Sequence, residues 1–468
     1  MKPAQAVNRT YDEITVGDSA TETRTLTQDD LILFAHASGN LNPLHLPGRQ
    51  GEGDDAEAVA PGMWVASLFS SVLGNKLPGP GTLYRSQTVR FASRAHVGDT
   101  LTVTVTAKLK LADSVILFDG RIVDQNGALV AEGEAEVIAP TRRVTLQDAA
   151  LPIYSLRRQV KFDRMIAGCA GLAPLPTAVV HPCDAPSLAG AMEAAGAGLI
   201  VPVLVGPRAR IEAVAADRGI DLSGVEIVEA PHSHAAAERG VALVNEGRAR
   251  AVMKGALHSD ELLHEVVKRD GGLRTKRRLS HAFVLDAPGV EHLLIVTDAA
   301  INILPDLLTK ADITQNAIDL ARAIGIARPK VAVMSAVETV NPAIPSSVEA
   351  AALSKMADRG QITGGIVDGP LAMDNAIDLD AARTKGITSL VAGRAEILVV
   401  PNLEAGNMLA KNLTFVAHAD AAGRVLGARV PVILTSRADD ARARMASAAL
   451  AVLYNHWLLT GESPLTGG

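Results

Sequence analysis

Ile397-Leu398-Val399-Val400-Pro401-Asn402-Leu403-Glu404-Ala405-Gly406-Asn407 joins four apolar residues without alternation to a cluster of small polar ones. Such a run suits a strand buried on both faces of a parallel sheet, where helices supply the cover. Five further runs have the same form. Ala251-Val252 stops at Met253-Lys254-Gly255, residues 293–296 at Thr297-Asp298, 331–334 at Ser335, 365–367 at Asp368-Gly369-Pro370, and 432–434 at Thr435-Ser436-Arg437. Segments of helical pattern lie between most of them, and residues 172–182 read as the first strand of the series. In open α/β sheets ligands sit beyond the carboxyl ends of the strands. Those ends are where this chain keeps its polar residues. The pattern predicts an enzyme.

Upstream the rhythm changes. Over residues 101–111 apolar side chains fall on odd positions, with Thr102, Thr104, Thr106, Lys108 and Lys110 between them. That period of two marks a strand with one buried face. Residues 115–123 form a second strand, and Asn126-Gly127 supplies a favoured hairpin turn. In the next run Leu129, Ala131, Ala135 and Val137 face away from Glu132, Glu134 and Glu136. One enclosed helix starts near Pro61-Gly62 and continues through Met63-Trp64-Val65-Ala66-Ser67-Leu68-Phe69, apolar on nearly all sides. A helix against a curled antiparallel sheet is an α+β unit. The meander stops at Ala139-Pro140, and a basic stretch precedes the α/β rhythm. We therefore expect a domain over residues 1–145, a linker over 146–160 and a second domain over 161–468.

The chain has 468 residues, 48% hydrophobic and 21% charged, ample material for conventional cores. Its net charge of −6 argues against nucleic acid as a main partner. Local basic clusters, such as residues 274–278, can still hold a small anion. Cys169 and Cys183 are the only cysteines and read as buried or incidental thiols rather than a disulfide. His232 and His234 have metal-like spacing, but no third ligand lies nearby; a polar loop is the better reading, and no metal site is expected. The amino terminus lacks an apolar leader, and no uninterrupted apolar stretch reaches the roughly 18 residues that span a bilayer. A cytoplasmic protein without membrane partners is the expectation.

The carboxyl-terminal phrases resemble the phosphate acetyltransferase and phosphate butyryltransferase family. They are Met253-Lys254-Gly255-Ala256-Leu257-His258-Ser259-Asp260, Thr297-Asp298-Ala299-Ala300-Ile301-Asn302, Ser335-Ala336-Val337-Glu338-Thr339, Ile366-Val367-Asp368-Gly369-Pro370, the 401–407 phrase and Thr435-Ser436-Arg437. The resemblance implies transfer of an acyl group between coenzyme A and inorganic phosphate, both as substrates, with no permanently bound cofactor. It implies an isocitrate dehydrogenase-like fold of two α/β subdomains, roughly 161–304 with 431–468, and 305–430. It also implies that Ser436 donates to the tetrahedral centre, that Arg437 binds phosphate, and that Arg278 is a second phosphate-binding arginine. The chemistry suits those types: negative charge builds on the carbonyl oxygen and phosphate, and a guanidinium matches phosphate oxygens. Lys254, Asn302 and Asn407 are candidates for substrate binding. Lys254 also reads as a lysine with a packed stem, and the two asparagines as turn formers. One departure matters. Related acetyltransferases place an aspartate six positions after the arginine, where this chain has Ala443. Asp439 is the substitute candidate for the thiol-activating base, its alternative being a helix cap. An oxidoreductase of the isocitrate dehydrogenase type would share the architecture, but the chain lacks a glycine-rich dinucleotide loop and a convincing metal-binding aspartate set.

Residues 10–140 resemble the MaoC-like hotdog domains of (R)-specific enoyl-CoA hydratases. The phrases are Phe34-Ala35-His36-Ala37-Ser38-Gly39-Asn40-Leu41-Asn42-Pro43-Leu44-His45, Ala60-Pro61-Gly62-Met63, Gly79-Pro80-Gly81-Thr82-Leu83-Tyr84 and Val97-Gly98-Asp99-Thr100. In that family an aspartate and a histidine five residues later hold the water that adds across the enoyl bond. A backbone N–H at the glycine opening the buried helix binds the thioester oxygen. His45 and Gly62 match, but the aspartate position is Asn40. Asparagine is isosteric yet neutral: it can orient water but cannot take its proton. Hydration with His45 as sole base, thioester binding without turnover, and a purely structural His45 all remain open. Both resemblances imply a homodimer or higher homo-oligomer acting on small acyl-CoA molecules.

Overall fold

The computed structural model describes residues 6–46, 58–146, 160–434 and 441–465. The chain divides into two compact units, Met1–Leu156 and Arg157–Gly468. The expected linker at 146–160 lies almost wholly outside the described residues.

In the first unit five strands, β1 (Ser19–Thr25), β2 (Leu83–Phe91), β3 (Thr100–Lys110), β4 (Val115–Val123) and β5 (Leu129–Ile138), form an antiparallel sheet. Their order is β1-β3-β4-β5-β2. The odd positions Leu101, Val103, Val105 and Ala107 are buried, as the alternation requires. They pack with Trp64, Phe69, Val72 and Leu73 of the enclosed helix, α2 (Gly62–Asn75), which follows α1 (Gln28–Ser38). Gly120 on β4 makes that contact possible: a Cβ there would lie 2.6 Å from a ring carbon of Phe69. The hairpin between β4 and β5 differs from the two-residue form that Asn-Gly favours. Only Gly127 takes a positive φ, 81°. Asp124 Oδ1 accepts from the N–H groups of Asn126 and Ala128, both at 2.8 Å, which draws one more residue into the loop. A side-chain acceptor at the first turn position has outcompeted the dipeptide preference.

In the second unit all six apolar runs are strands, and so is the run at 172–182. In chain order the strands are β6 (Leu175–Val180), β7 (Ile200–Gly206), β8 (Glu226–Glu229), β9 (Ala251–Lys254), β10 (Ser280–Asp286), β11 (Leu294–Thr297), β12 (Lys330–Met334), β13 (Ile366–Leu371), β14 (Ile397–Val399), β15 (Asp420–Leu426) and β16 (Val432–Ile433). They make one sheet in the order β8-β7-β6-β9-β16-β15-β10-β11-β14-β12-β13. Helices on both faces include Ser233–Asn245, Leu307–Ala323, Leu403–Lys411 and Ala441–Thr460.

The strands β8, β7, β6, β9 and β16 are mutually parallel, as are β11, β14, β12 and β13. Between these sets β15 and β10 pair antiparallel with each other and with both neighbours. Three antiparallel steps reverse the direction, so the carboxyl ends of the two sets point to opposite edges. A single crevice shared by all six strand ends, the simple expectation, is therefore replaced by convergence over the central strands. One face carries a core continuous across both sets, including Ala282, Val284, Ala422, Ile433 and the helix Ala441–Thr460. On the other face the cover is two separate clusters, one around Val425 and Val432, the other around Leu285, Leu294 and Val296. His281, paired in register with Val425, lies on that second face.

Candidate active site

Over the central strands the second unit assembles a buried polar turn. Asp298 follows β11 directly, and its carboxylate accepts four N–H bonds: Oδ1 from Ala300 and Ile301 at 3.0 Å each, Oδ2 from the Asn302 backbone at 3.1 Å and from Asn302 Nδ2 at 2.5 Å. Asn302 Nδ2 also donates to Leu279 O at 2.8 Å. Asn407 Nδ2 donates to Ala299 O at 3.2 Å. Asn302, Asn407 and the backbone next to Arg278 thus come together, and both asparagine amides are spent on organising the turn. Gly406 lets the helix Leu403–Lys411 sit close: a Cβ there would be 2.7 Å from Asp298 O and 3.0 Å from Ala299 Cα.

His281 lies beside this turn. Burial pushes its pKa down from 6.5 to about 4, with the charge of Asp298 pulling partly back, so the ring is neutral at pH 7. Its Nδ1 is buried without a hydrogen-bond partner among the described residues. A Cβ on Gly423 would stand 3.1 Å from His281 Nε2 and 3.2 Å from Leu434 O, so this glycine lets the Leu434 carbonyl and the imidazole lie close to β15. Ser436, Arg437 and Asp439 themselves lie outside the described residues. Ala443, where related enzymes carry the aspartate, is a buried residue in the first turn of the final helix.

Lys254 ends β9 with its side chain buried, and Gly255 after it has no room for a Cβ, which would be 2.4 Å from Val180 O. Arg278 is exposed, and its charge helps hold the Asp306 carboxyl below the usual carboxylate range. Its neighbour Arg277 pairs with Asp319 at 2.5 Å. Asp298, His281 and Asp319 received no role from the sequence. Asp298 stood inside a quoted phrase; the other two carried no local signal.

In the first unit Asn40 follows the left-handed cap Gly39 (φ 71°) of α1, and its Oδ1 accepts from Asn42 N at 3.1 Å. His45 Nδ1 meets Val59 O at 2.7 Å. A carbonyl only accepts, so Nδ1 carries the proton and Nε2 keeps its lone pair. Gly62 opens α2, where the first N–H groups have no partner in the preceding turn. A Cβ on Gly62 would meet the Phe91 ring at 3.0 Å. His36 is exposed.

Cys169 and Cys183 are both buried thiols, and burial pushes Cys169 up to about 12. His232 caps the helix Ser233–Asn245 through its ring Nδ1, which accepts from Ala235 N at 3.2 Å. Among the described residues no three His, Cys, Asp or Glu side chains are grouped to hold a metal, and no helix is long and apolar enough to cross a membrane.

A doubly covered α/β sheet with polar residues converging over reversed central strands defines a two-part α/β enzyme. Comparison with known proteins makes this particular. The family described as "Phosphate acetyl/butaryl transferase" matches residues 233–452, and "MaoC like domain" matches residues 15–112. The chain is 64% identical over 294 residues to phosphate acetyltransferase of Rhizobium meliloti, covering 63% of this chain and 93% of that protein. It is 44% identical over 270 residues to phosphate butyryltransferase of Clostridium acetobutylicum, covering 58% and 90%. Among solved structures, a branched-chain phosphotransacylase from Enterococcus faecalis V583 is 30% identical, with a TM-score of 0.54 over 60% of this chain and 99% of that one. The chain belongs to the phosphate acetyl/butyryl transferase family and carries a MaoC-like hotdog domain ahead of the transferase domain.

Proposed function

We propose that the second unit interconverts a short-chain acyl-CoA and phosphate with acyl phosphate and free coenzyme A. The observation that carries this reading is the 64% identity to a phosphate acetyltransferase across 93% of that protein's length. In the proposed reaction Arg437 and Arg278 hold the phosphate oxygens, and Ser436 donates to the oxygen that gains charge at the tetrahedral centre. Asp439 takes the thiol proton in the direction that starts from coenzyme A. Lys254, Asn302 and Asn407 shape the substrate site, the asparagines through the 298–302 turn they hold. Coenzyme A thioester and phosphate are substrates, and no permanently bound cofactor is invoked. Two subdomains, roughly 161–304 with 431–468 and 305–430, close over them. The protein acts as a cytoplasmic homodimer or higher homo-oligomer.

The experiment is release of free coenzyme A from acetyl-, butyryl- and crotonyl-CoA with and without phosphate. Phosphate-dependent release is expected, and its absence with every short-chain thioester overturns the reading. A second activity, (R)-specific hydration of an enoyl-CoA by the first unit, is favoured by the MaoC-like match and by the free lone pair at His45 Nε2. Asn40 argues against fast turnover there. Loss of the crotonyl double bond, followed in the same assay, separates hydration from docking of the thioester alone.

A further inference from the structure

We infer that the helix Leu307–Ala323 is a positioning element for Arg278, acting through Asp312 and Asn316 on that residue's own backbone. The inference rests on the reading of Arg278 as a phosphate ligand. Asp312 Oδ2 accepts the Arg278 N–H at 2.9 Å. One helical turn on, Asn316 Nδ2 donates to the Arg278 carbonyl at 3.0 Å and to Ser280 Oγ at 3.0 Å. Both main-chain polar groups of one arginine are thus held by side chains at i and i+4 of one helix, on the same helical face.

The surroundings are built to the same end. Asn316 is fully buried, so its amide has no solvent alternative to these acceptors. Asp319, a further turn along, takes the guanidinium of Arg277 and is itself braced by Gln315 Nε2 at 3.1 Å. Arg277 is thereby withdrawn, while the Arg278 guanidinium stays exposed, with the charge of Asp306 as its electrostatic neighbour. Gly427, with φ +86°, closes the node: a Cβ there would lie 2.5 Å from Arg278 O and 3.0 Å from Asn316 Nδ2. Thr275 Oγ1 donates to Gly427 O at 2.7 Å, tying the loop before Arg278 to the end of β15. Fixing the backbone in advance lowers the ordering cost of placing one cation against an anion.

The test uses the full chain and inorganic phosphate as the varied substrate. Asn316→Asp keeps the side-chain volume but sets a carboxylate oxygen against the Arg278 carbonyl; Asp312→Ala, at a half-buried position, is the milder second variant. Each is expected to raise KM for phosphate about tenfold, with kcat and KM for acyl-CoA changed less than about twofold. Placed in an Arg278→Ala background, either substitution should add less than about twofold, because its route is already gone. An equal rise in that background, or parallel changes in kcat and both KM values, overturns the positioning role. So does a rise with Arg278→Ala and none with either helix variant. If Arg278→Ala leaves KM for phosphate unchanged, the phosphate assignment of Arg278 falls, and this inference with it. Thermal melts of each variant establish that the compared proteins are folded.

Discussion

In the hotdog unit the candidate residues stand on hydrogen bonds that are local in sequence: Asn42 to Asn40 spans 2 positions, Leu44 to Asn42 spans 2, and His45 to Val59 spans 14. In the transferase unit the equivalent bonds reach across the fold: Asn302 to Leu279 spans 23 positions, Asn316 to Arg278 spans 38 and Asn407 to Ala299 spans 108. Buried polar residues follow the same division: among the described residues, only Asn8 and Asp30 lie in the first unit and the remainder in the second. A site made of local turns can exchange one side chain without disturbing its core. A site made of long-range buried bonds cannot, since each group removed leaves another unsatisfied.

Five measurements test this contrast. The largest effect is expected at the reacting centre of the second unit: Ser436→Ala and Arg437→Ala should each lower phosphate-dependent coenzyme A release by about 10²–10³-fold with the melting temperature unchanged. Near-wild-type rates would remove both residues from the mechanism. In the first unit Asn40→Asp should raise crotonyl-CoA hydration by about 10²-fold while leaving coenzyme A release as it was. No gain would mean that the frame around His45 has lost more than one carboxylate. Third, Gly406→Ala should destabilise the transferase unit by about 1–3 kcal/mol in denaturant unfolding, because its Cβ meets backbone atoms of the 298–299 segment. The hotdog transition should not move.

The fourth prediction concerns pH. His281 is held neutral by burial, its pKa pushed from 6.5 down to about 4. The unfolded chain takes up a proton near pH 6.5 that the folded chain declines until about pH 4. The contribution to stability is therefore complete above pH 6.5 and is lost as pH falls toward 4. His281→Gln should flatten the stability of the second unit across that window by on the order of 2 kcal/mol. An unchanged slope would place the imidazole in contact with solvent. The smallest effect belongs to the charged outer face of the hotdog sheet, where Lys108 bridges Asp119 and Glu134 in full solvent exposure. Lys108→Ala should leave the melting temperature within measurement error.

Much of the architecture was legible because apolar runs and alternation are local signals. The six apolar runs are strands, and the odd-position rule holds on β3 from Leu101 to Ala107 but fails at Leu109, which is exposed beyond a register shift against β4. The central pair was not legible. β10 confines its apolar run to residues 282–285 between His281 and Asp286 and ends at no cluster of small polar residues, while β15 is interrupted by Arg424, so neither has the form of the six runs. Their polar groups face elements distant in sequence: Asp286 takes Lys161 at 2.7 Å, and the fully buried Arg424 lies over the Tyr454 ring at 5.1 Å, its guanidinium nitrogens without a hydrogen-bond partner among the described residues. Without those two strands the reversal of the sheet could not be foreseen, nor could convergence over its centre. The site was legible as phrases. What the phrases omit is the helix bearing Asp312, Asn316 and Asp319, whose spacing resembles a solvated face and whose targets lie on another element.

The place of β16 in the sheet bears on how the protein is made. Residues 432–433 sit between β9 and β15, and the helix Ala441–Thr460 packs in the same core as strands that begin at residue 175. On the ribosome all five strands of the hotdog sheet are available once residue 138 has emerged, well before the transferase sheet is complete. The first half of the transferase sheet must wait for a segment that lies more than 170 residues beyond β9 in the sequence, the β9 edge unpaired meanwhile. Late-arriving chain thus closes the early part of the sheet, and a ribosome stalled before residue 432 would present β9 to chaperones or to neighbouring nascent chains.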